Sequence, residues 1–489
     1  MKIIQRKTFS TAKIIPGLFY QKLIETLPHV TIDRNKYELD RHGRGESWHP
    51  TAAPETIVIP QMTKDVSEIL KLCNKYRVPI IPFGAGTSVE GHVSALQSGS
   101  ISLDMMKFKD IDLPQDGTQL QDPFVSVGAG VTRKELNERL RHTGLQFMVD
   151  PGADATIGGM VSCGASGTTA VKYGTMRENI LGVECVLADG TVAQCGTKAL
   201  KSSAGYDLTS LMCGSEGTLG VITKVTVKLH PVPAHVSAAI CSFRSLHDAA
   251  EAVAAIKMYA IPVERCELLD ESSLRAFRKY VKSSSSSSPS DIPVPEKSTL
   301  FLEFTGSSKV AVEEQVSMVQ SICYDFNGSG FTFTEHEEGR KALWAARHQL
   351  YYSSIALRDN AKGAIVTDVC VPLSKFADII SATVEDVKDL NVIGPCFGHA
   401  GDGNFHCILP LSDGDSEEYI SKLHEINDRM IRRAMAVGGT CTGEHGVGYG
   451  KMKYLEKQYG SGGVEMMKMI KTGLDPNNIL NPGKVVQIS

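Results

Sequence analysis

The stretch "ETIVIPQMTKDVSEILKLCNKYRVPIIPFGAGTS", residues 55–88, reads as strand, helix, strand and glycine turn in succession. "ETIVIP" is a short apolar run, whereas "TKDVSEILKLCNKY" sets Val66, Ile69, Leu70 and Cys73 at helical spacing behind a cap at Thr63. "VPIIPFGAGTS" returns as a second strand that ends in Gly84 and Gly86. That order argues for an α/β unit whose turn carries the glycines. Successive amides of Gly84, Ala85, Gly86, Thr87 and Ser88 can form an anion-binding nest for a pyrophosphate. The next glycine is Gly91, so the spacing is not the G-x-G-x-x-G of a dinucleotide Rossmann unit, and a nicotinamide cofactor is disfavoured.

Outward from this unit the pattern repeats once and then changes. "FVSVGAG" leads into "VTRKELNERLRHTG", where Thr132 and Glu135 make a capping box and Gly144 supplies the stop. From about residue 150 to 230, glycines at non-periodic positions interrupt short strands such as "VECVLADGTVAQC". Each glycine costs backbone entropy on folding, and a core gains nothing from absent side chains, so close contact with a long extended ligand explains them better. Pro231 and Pro233 mark a boundary, beyond which "SLHDAAEAVAAIKMYAI" and "STLFLEFTG" indicate a second, α+β domain. The run Ser283 to Ser288, followed by prolines, reads as an exposed loop or disordered insertion.

Composition removes several classes of function. A chain of 489 residues is too long for one compact core, and its net charge of -4 gives no support for a nucleic-acid surface. Its 12 cysteines are scattered with no C-x-x-C pair, which disfavours iron–sulfur clusters, zinc ribbons and a disulfide framework. No apolar run is long enough to cross a bilayer, so the chain is expected to be soluble or peripheral. The amino terminus carries Lys2, Arg6, Lys7, Lys13 and Lys22 and meets no acid before Glu25, the bias of a mitochondrial presequence over residues 1–25. A basic terminus on a cytoplasmic protein is the alternative.

"GHAGDGNFHCILP", residues 398–410, separates His399 from His406 by a glycine-rich loop. On one strand a separation of seven would aim the rings to opposite faces, and Gly401 and Gly403 argue against a helix. A glycine turn between two extended pieces brings both imidazoles to one point, as a metal site needs. "TCTGEHGVGYGK" offers Glu444 as the third ligand, and two histidines with one carboxylate suit divalent zinc or manganese. His445, beside a ligand, is the natural general base for a hydroxyl that such an ion acidifies.

The stretches "DPGADATIGGMVSCGASGTTAVKYG" and "GYDLTSLMCGSEGTLGVITKV", with "PFGAGTS" before them, resemble the flavin-binding signature of the vanillyl-alcohol-oxidase family of FAD oxidoreductases. Within that family, "GHAGDGNFH", "GEHGVG" and "LDPNNILNPGK" are similar to the branch of D-lactate dehydrogenases, glycolate oxidases and D-2-hydroxyglutarate dehydrogenases. The likeness runs over nearly all of the chain after about residue 40. It implies an α+β fold: a PCMH-type FAD-binding domain of two α/β subdomains over residues 26–233, and an α+β cap domain with an antiparallel sheet and the metal site over 234–455. A C-terminal segment, 456–489, would return to the FAD domain.

By the same resemblance Pro82 contacts the cofactor and Gly84 to Ser88 contact its pyrophosphate. Further flavin contacts are implied for Pro151, Gly152, Thr156, Gly158, Gly159, Ser162, Gly164, Ser166, Gly167, Tyr173, Glu216, Gly217, Gly220, Val221 and Ile222, and at the end for Asn481 and Lys484. Some relatives attach FAD through a histidine in the glycine turn; Thr87 stands there, which implies non-covalent FAD. Arg347 matches the family arginine that holds a substrate carboxylate, and Lys362 matches a second positive position. Where the hydroxyglutarate branch tends to carry Asn two residues after the second motif histidine, this chain has Ile408, and an apolar wall suits lactate or a longer alkyl 2-hydroxy acid. Expected outcomes are hydride transfer to the flavin and electron delivery to cytochrome c, a quinone or a flavoprotein. The rival readings are an alkyl-dihydroxyacetone-phosphate synthase-like transferase and a flavin-holding electron-transfer subunit without its own substrate site.

Overall fold

The computed structural model describes residues 15–114, 120–283 and 296–488, which form two compact units. One unit takes the chain through Ser166, then Tyr173–Val232, and then everything from Glu444. The other takes Gly167–Lys172 and Pro233–Gly443.

In the first unit the opening strand-helix-strand is realised as read. Thr56–Ile59, Ile101–Asp104 and Ile80–Phe83 form a parallel sheet in that order, with Thr31–Asp33 antiparallel on the outer side of Thr56–Ile59. Helix Thr63–Tyr76 buries Val66, Ile69, Leu70 and Cys73 completely against Ile80, Ile101 and Leu103, the result its apolar spacing requires. Its cap differs from the expectation. Asp65 accepts from the amides of Gln61 and Met62 at 2.9 and 3.2 Å, while the Thr63 hydroxyl donates to Glu184 at 2.7 Å. A carboxylate in the first turn also complements the helix dipole, which a hydroxyl cannot do as well.

A second sheet in this unit is wholly antiparallel, in the order Phe124–Gly128, Val221–Lys228, Ile180–Val186, Val192–Gly196. Helix Arg133–Leu140 starts with the expected reciprocal cap: Thr132 Oγ1 accepts from the Glu135 amide at 3.2 Å, and Glu135 accepts from the Thr132 amide at 2.8 Å. At the far end of the chain, Ile479 and Asn481 hydrogen-bond on either side of Ile80, so the terminal segment extends the edge of the parallel sheet.

The expected presequence falls partly outside the described residues, which begin at Ile15. From Gly17 to Thr26 the chain is a helix whose Phe19 and Leu23 are buried in the same core as Ile69 and Leu70.

The second unit is built on one large antiparallel sheet. Its strands run in the order Gly328–Thr334, His235–Phe243, Thr299–Gly306, Arg265–Leu269, Cys396–His399, Asn404–Ser412 and Ala361–Val366, with the short Val369–Cys370 also pairing to Asn404–Ser412. Helices Leu246–Met258, Lys309–Asp325, Leu373–Asp389 and Glu417–Ala436 accompany it. The implied antiparallel sheet is thus present. The serine-rich insertion lies outside the described residues beyond Ser283, where helix Glu271–Ser283 ends. No described helix is long and apolar enough to cross a membrane, and no disulfide occurs among the described residues.

The division between the units falls between Gly443 and Glu444, earlier than the expected 455. The cause is local. A Cβ on Gly448 would stand 1.9 Å from the Glu90 carbonyl oxygen and one on Gly450 2.6 Å from the Glu90 carboxylate, so "GVGYGK" lies flat against the segment after the glycine turn.

Candidate functional site

The two histidines meet by the route that their spacing demanded. Strand Cys396–His399 ends at the first, Ala400–Asp402 make one tight helical turn, and strand Asn404–Ser412 carries the second. Gly403 closes the turn at φ +74°, where a Cβ would stand 2.2 Å from the Val371 carbonyl oxygen. Phe397 pairs directly with His406, so residues 397, 399 and 406 share one face of the hairpin. The imidazole centroids are 5.7 Å apart at 84°, and both histidines are buried.

Each ring is held by its Nδ1. His406 Nδ1 lies 3.1 Å from the Thr367 carbonyl oxygen, and because a carbonyl can only accept, Nδ1 bears a proton there. His399 Nδ1 lies 2.7 Å from Glu267 Oε1 on the adjacent strand, where Glu267 and His399 are register partners. The other oxygen of Glu267 accepts from Arg347 Nε at 2.6 Å. Arg347 is buried, with its guanidinium 4.8 Å above the Phe397 ring. A completely buried carboxylate thus joins one candidate ligand to the candidate substrate cation. Such anchoring of the remote nitrogen is what orients histidines toward metals.

Asp368, also fully buried, organises the neighbouring loop. Its Oδ1 accepts from Asn404 Nδ2 at 2.8 Å and stands 3.7 Å from His406 Nδ1; its Oδ2 accepts from the Thr442 hydroxyl and the Gly443 amide, both at 2.7 Å. Sequence reading missed Glu267 and Asp368. Each had one signal, an acid inside a strand-like apolar run ("CELL", "IVTDVCV"), where a charge is costly unless it has partners. Ile408 follows His406 on the same strand face and is buried in the apolar cluster of Phe397, Leu343 and Trp344. Lys362 stands apart. It is exposed and ion-paired to Asp413, whose hydrogen bond raises its pKa, and it takes no part in this cluster.

In the other unit, Glu444 accepts from Ser166 Oγ at 2.6 Å, and His445 is half-buried with Nε2 3.8 Å from Glu444. The glycine turn after Phe83 has the features of an anion cradle. Gly86 is at φ +73°, and a Cβ on Gly84 would meet Thr156 Oγ1 at 2.4 Å. Among the described residues no backbone carbonyl accepts from the amides of Gly84 to Ser88, and the buried Ser88 Oγ has no partner. Unpaired donors gathered at one concave turn suit a pyrophosphate.

The remaining flavin candidates occupy several elements. Thr156 caps helix Ile157–Cys163 by accepting from the Gly159 amide at 3.2 Å, and Gly158 and Gly164 lie within or end that helix. Ser215 Oγ is buried without a partner among the described residues, beside Glu216, Gly217 and Gly220. Pro82 packs 3.0 Å from the position of a Gly217 Cβ. Val221 and Ile222 are buried in the two apolar cores of this unit. Tyr173 packs on His230 at 4.7 Å, and Pro151 and Gly152 lie in the loop before the helix. Gly167 belongs to the second unit. Asn481 donates to the carbonyls of His92 and Glu216 at 3.1 and 2.8 Å, and Lys484 donates to the Ser94 carbonyl at 2.7 Å. Burial pushes the Lys484 ammonium down to a pKa of about 7.

Comparison with known proteins accords with this geometry. Residues 54–196 match the FAD binding domain family, and residues 232–485 match the family of FAD linked oxidases, C-terminal domain. The chain is 46% identical over 454 residues to the probable mitochondrial D-lactate dehydrogenase of Danio rerio, covering 92% of this chain and 88% of that one. It is 41% identical to the mitochondrial D-lactate dehydrogenase [cytochrome] of Arabidopsis thaliana, covering 98% and 82%. A solved structure of p-cresol methylhydroxylase superposes with a TM-score of 0.77 at 16% identity, covering 97% of this chain and 98% of that one, and shows the PCMH-type fold alone.

Proposed function

The chain belongs to the family of FAD-linked oxidases, and from that membership we propose that it is an FAD- and divalent-metal-dependent dehydrogenase of D-2-hydroxy acids, acting foremost on D-lactate to give pyruvate. The observation that carries the metal half is the hairpin in which His399 and His406 share a face, each ring held at Nδ1 by an acceptor, the anchoring that orients histidines as ligands. Glu444 is the proposed third ligand. It follows directly on Thr442 and Gly443, which Asp368 anchors. Two imidazoles and a carboxylate suit zinc or manganese.

When bound, the flavin supplies a hydride acceptor and the cation a Lewis acid that acidifies a hydroxyl. The protein supplies position and proton transfer. Arg347, fixed by Glu267, pairs with the substrate carboxylate, for which a guanidinium fork suits better than an ammonium. His445 takes the hydroxyl proton. Ile408, buried in its apolar cluster, brings no polar group of its own to a distal carboxylate, which favours lactate over 2-hydroxyglutarate. Residues 26–233 with the segment 456–489 hold the FAD, with Gly84 to Ser88 at its pyrophosphate, and residues 234–455 form the substrate domain. The names of the relatives support a mitochondrial location and cytochrome c as electron acceptor; a quinone or flavoprotein is the alternative acceptor.

The test is anaerobic reduction of the bound flavin by D-lactate, L-lactate and D-2-hydroxyglutarate in parallel. Rapid bleaching by D-lactate, with the other two much slower, is the expected result. A flavin that no 2-hydroxy acid bleaches would refute the reading.

A further inference from the structure

We propose that Glu216 is a positioning residue, which fixes the segment carrying Glu444 and His445 through its carboxylate. The inference rests on the function proposed above for its catalytic consequence, though not for its geometry.

Every polar atom of Glu216 is engaged by the protein. Its amide donates to the Ser162 carbonyl at 2.8 Å and its carbonyl accepts from Asn481 at 2.8 Å. Oε1 accepts from the Val447 amide at 2.6 Å and Oε2 from the Gly448 amide at 2.7 Å, with His92 Nε2 3.1 Å from Oε2. The residue is buried and sits at φ +53°, a left-handed conformation that costs a side-chain-bearing residue free energy and persists only where the surroundings impose it. A buried carboxylate accepting from two consecutive amides is a strong, charge-assisted anchor. The approach is close enough that a Cβ on Gly446 would stand 2.7 Å from Glu216 Oε1, and Gly446 is itself at φ +79°.

Val447 and Gly448, anchored on this carboxylate, stand two and three residues after His445. A proton acceptor must be held within a fraction of an ångström of its productive place, and an anchor so near in the chain restricts where its backbone can go. The carboxylate of Glu216 thus serves the loop, even where its backbone lines the cofactor.

Glu216→Gln is isosteric, keeps one acceptor oxygen and turns the other position into a donor facing an amide. The expected result with D-lactate is a kcat for flavin reduction lower by about 10- to 100-fold with KM changed less than about threefold, the FAD content and visible spectrum unchanged. Hydrogen exchange at the Val447 and Gly448 amides should accelerate, with other protected amides unaltered. Glu216→Asp, which keeps the charge but is one methylene shorter, should recover part of the rate. Wild-type kcat and wild-type exchange at Val447 and Gly448 in E216Q would overturn the proposal, and so would loss of FAD with the loop amides still protected. If the unaltered protein is reduced by no 2-hydroxy acid, the functional reading fails, while the exchange measurement still decides the role of Glu216.

Discussion

Replacing Glu267 by Gln tests the link between the histidine hairpin and Arg347. The wild-type carboxylate is completely buried, accepting from His399 Nδ1 at 2.7 Å and from Arg347 Nε at 2.6 Å. A glutamine fits the same volume but offers one acceptor. Its oxygen is drawn to the guanidinium, whose charge cannot be removed, and its amide nitrogen then faces His399 Nδ1 as a donor. To accept there, His399 must move its proton to Nε2, the atom proposed to bind the metal. The loss is one charge-assisted hydrogen bond together with an unfavourable tautomer, about 1.5–3 kcal/mol. At about 1.4 kcal/mol per factor of ten, metal affinity falls by about 10- to 100-fold, in the range found for such outer partners. The assay is competition between purified protein and a chelator of known affinity, with FAD content measured in the same samples. FAD content should not change, since the glycine turn of Gly84 to Ser88 belongs to the other unit. An E267Q protein that holds metal within about twofold of wild type would refute the tautomer argument.

Two further outcomes follow from the same geometry. His399→Ala and Glu444→Ala should each bind FAD normally yet abolish flavin reduction by D-lactate, and full activity in either would refute the metal ligand set. Asp270→Asn probes pH dependence: burial pushes the Asp270 carboxyl up to a pKa of about 6, above its unfolded value, so the folded state binds the extra proton and stability declines as pH rises from about 4 to 6. Asparagine keeps the acceptor for Ser273, held at 2.7 Å from its amide, without a charge to desolvate. The variant's advantage in thermal unfolding should therefore be absent near pH 4 and reach at most about 3 kcal/mol above pH 6; an advantage independent of pH would contradict this.

The parallel unit was legible because helical and strand periods are local: Val66, Ile69, Leu70 and Cys73 are all buried where their spacing put them. The histidine hairpin was legible for a similar reason, since only a turn at Gly403 reconciles the spacing with a shared face. Glu267 was not, because its partner His399 lies 132 residues away and strand pairing over that distance leaves no local pattern. Asp368 was hidden likewise. The cap at Thr63 was misplaced because two candidate acceptors stood two residues apart and the carboxylate of Asp65 took the amides. The close approach of the backbone at Gly446, Gly448 and Gly450 to Glu216 and Glu90 was hidden likewise, since those partners lie far away in the sequence. Lys362, suggested by likeness alone, reaches Asp413 instead.

The decisive measurement is the rate at which D-lactate reduces the bound flavin, followed anaerobically in metal-replete protein, in protein stripped by a chelator, and in stripped protein resupplied with zinc or manganese. The hairpin of His399 and His406 predicts fast reduction in the first, almost none in the second with FAD still bound, and recovery in the third. Equal rates in replete and stripped protein would contradict it.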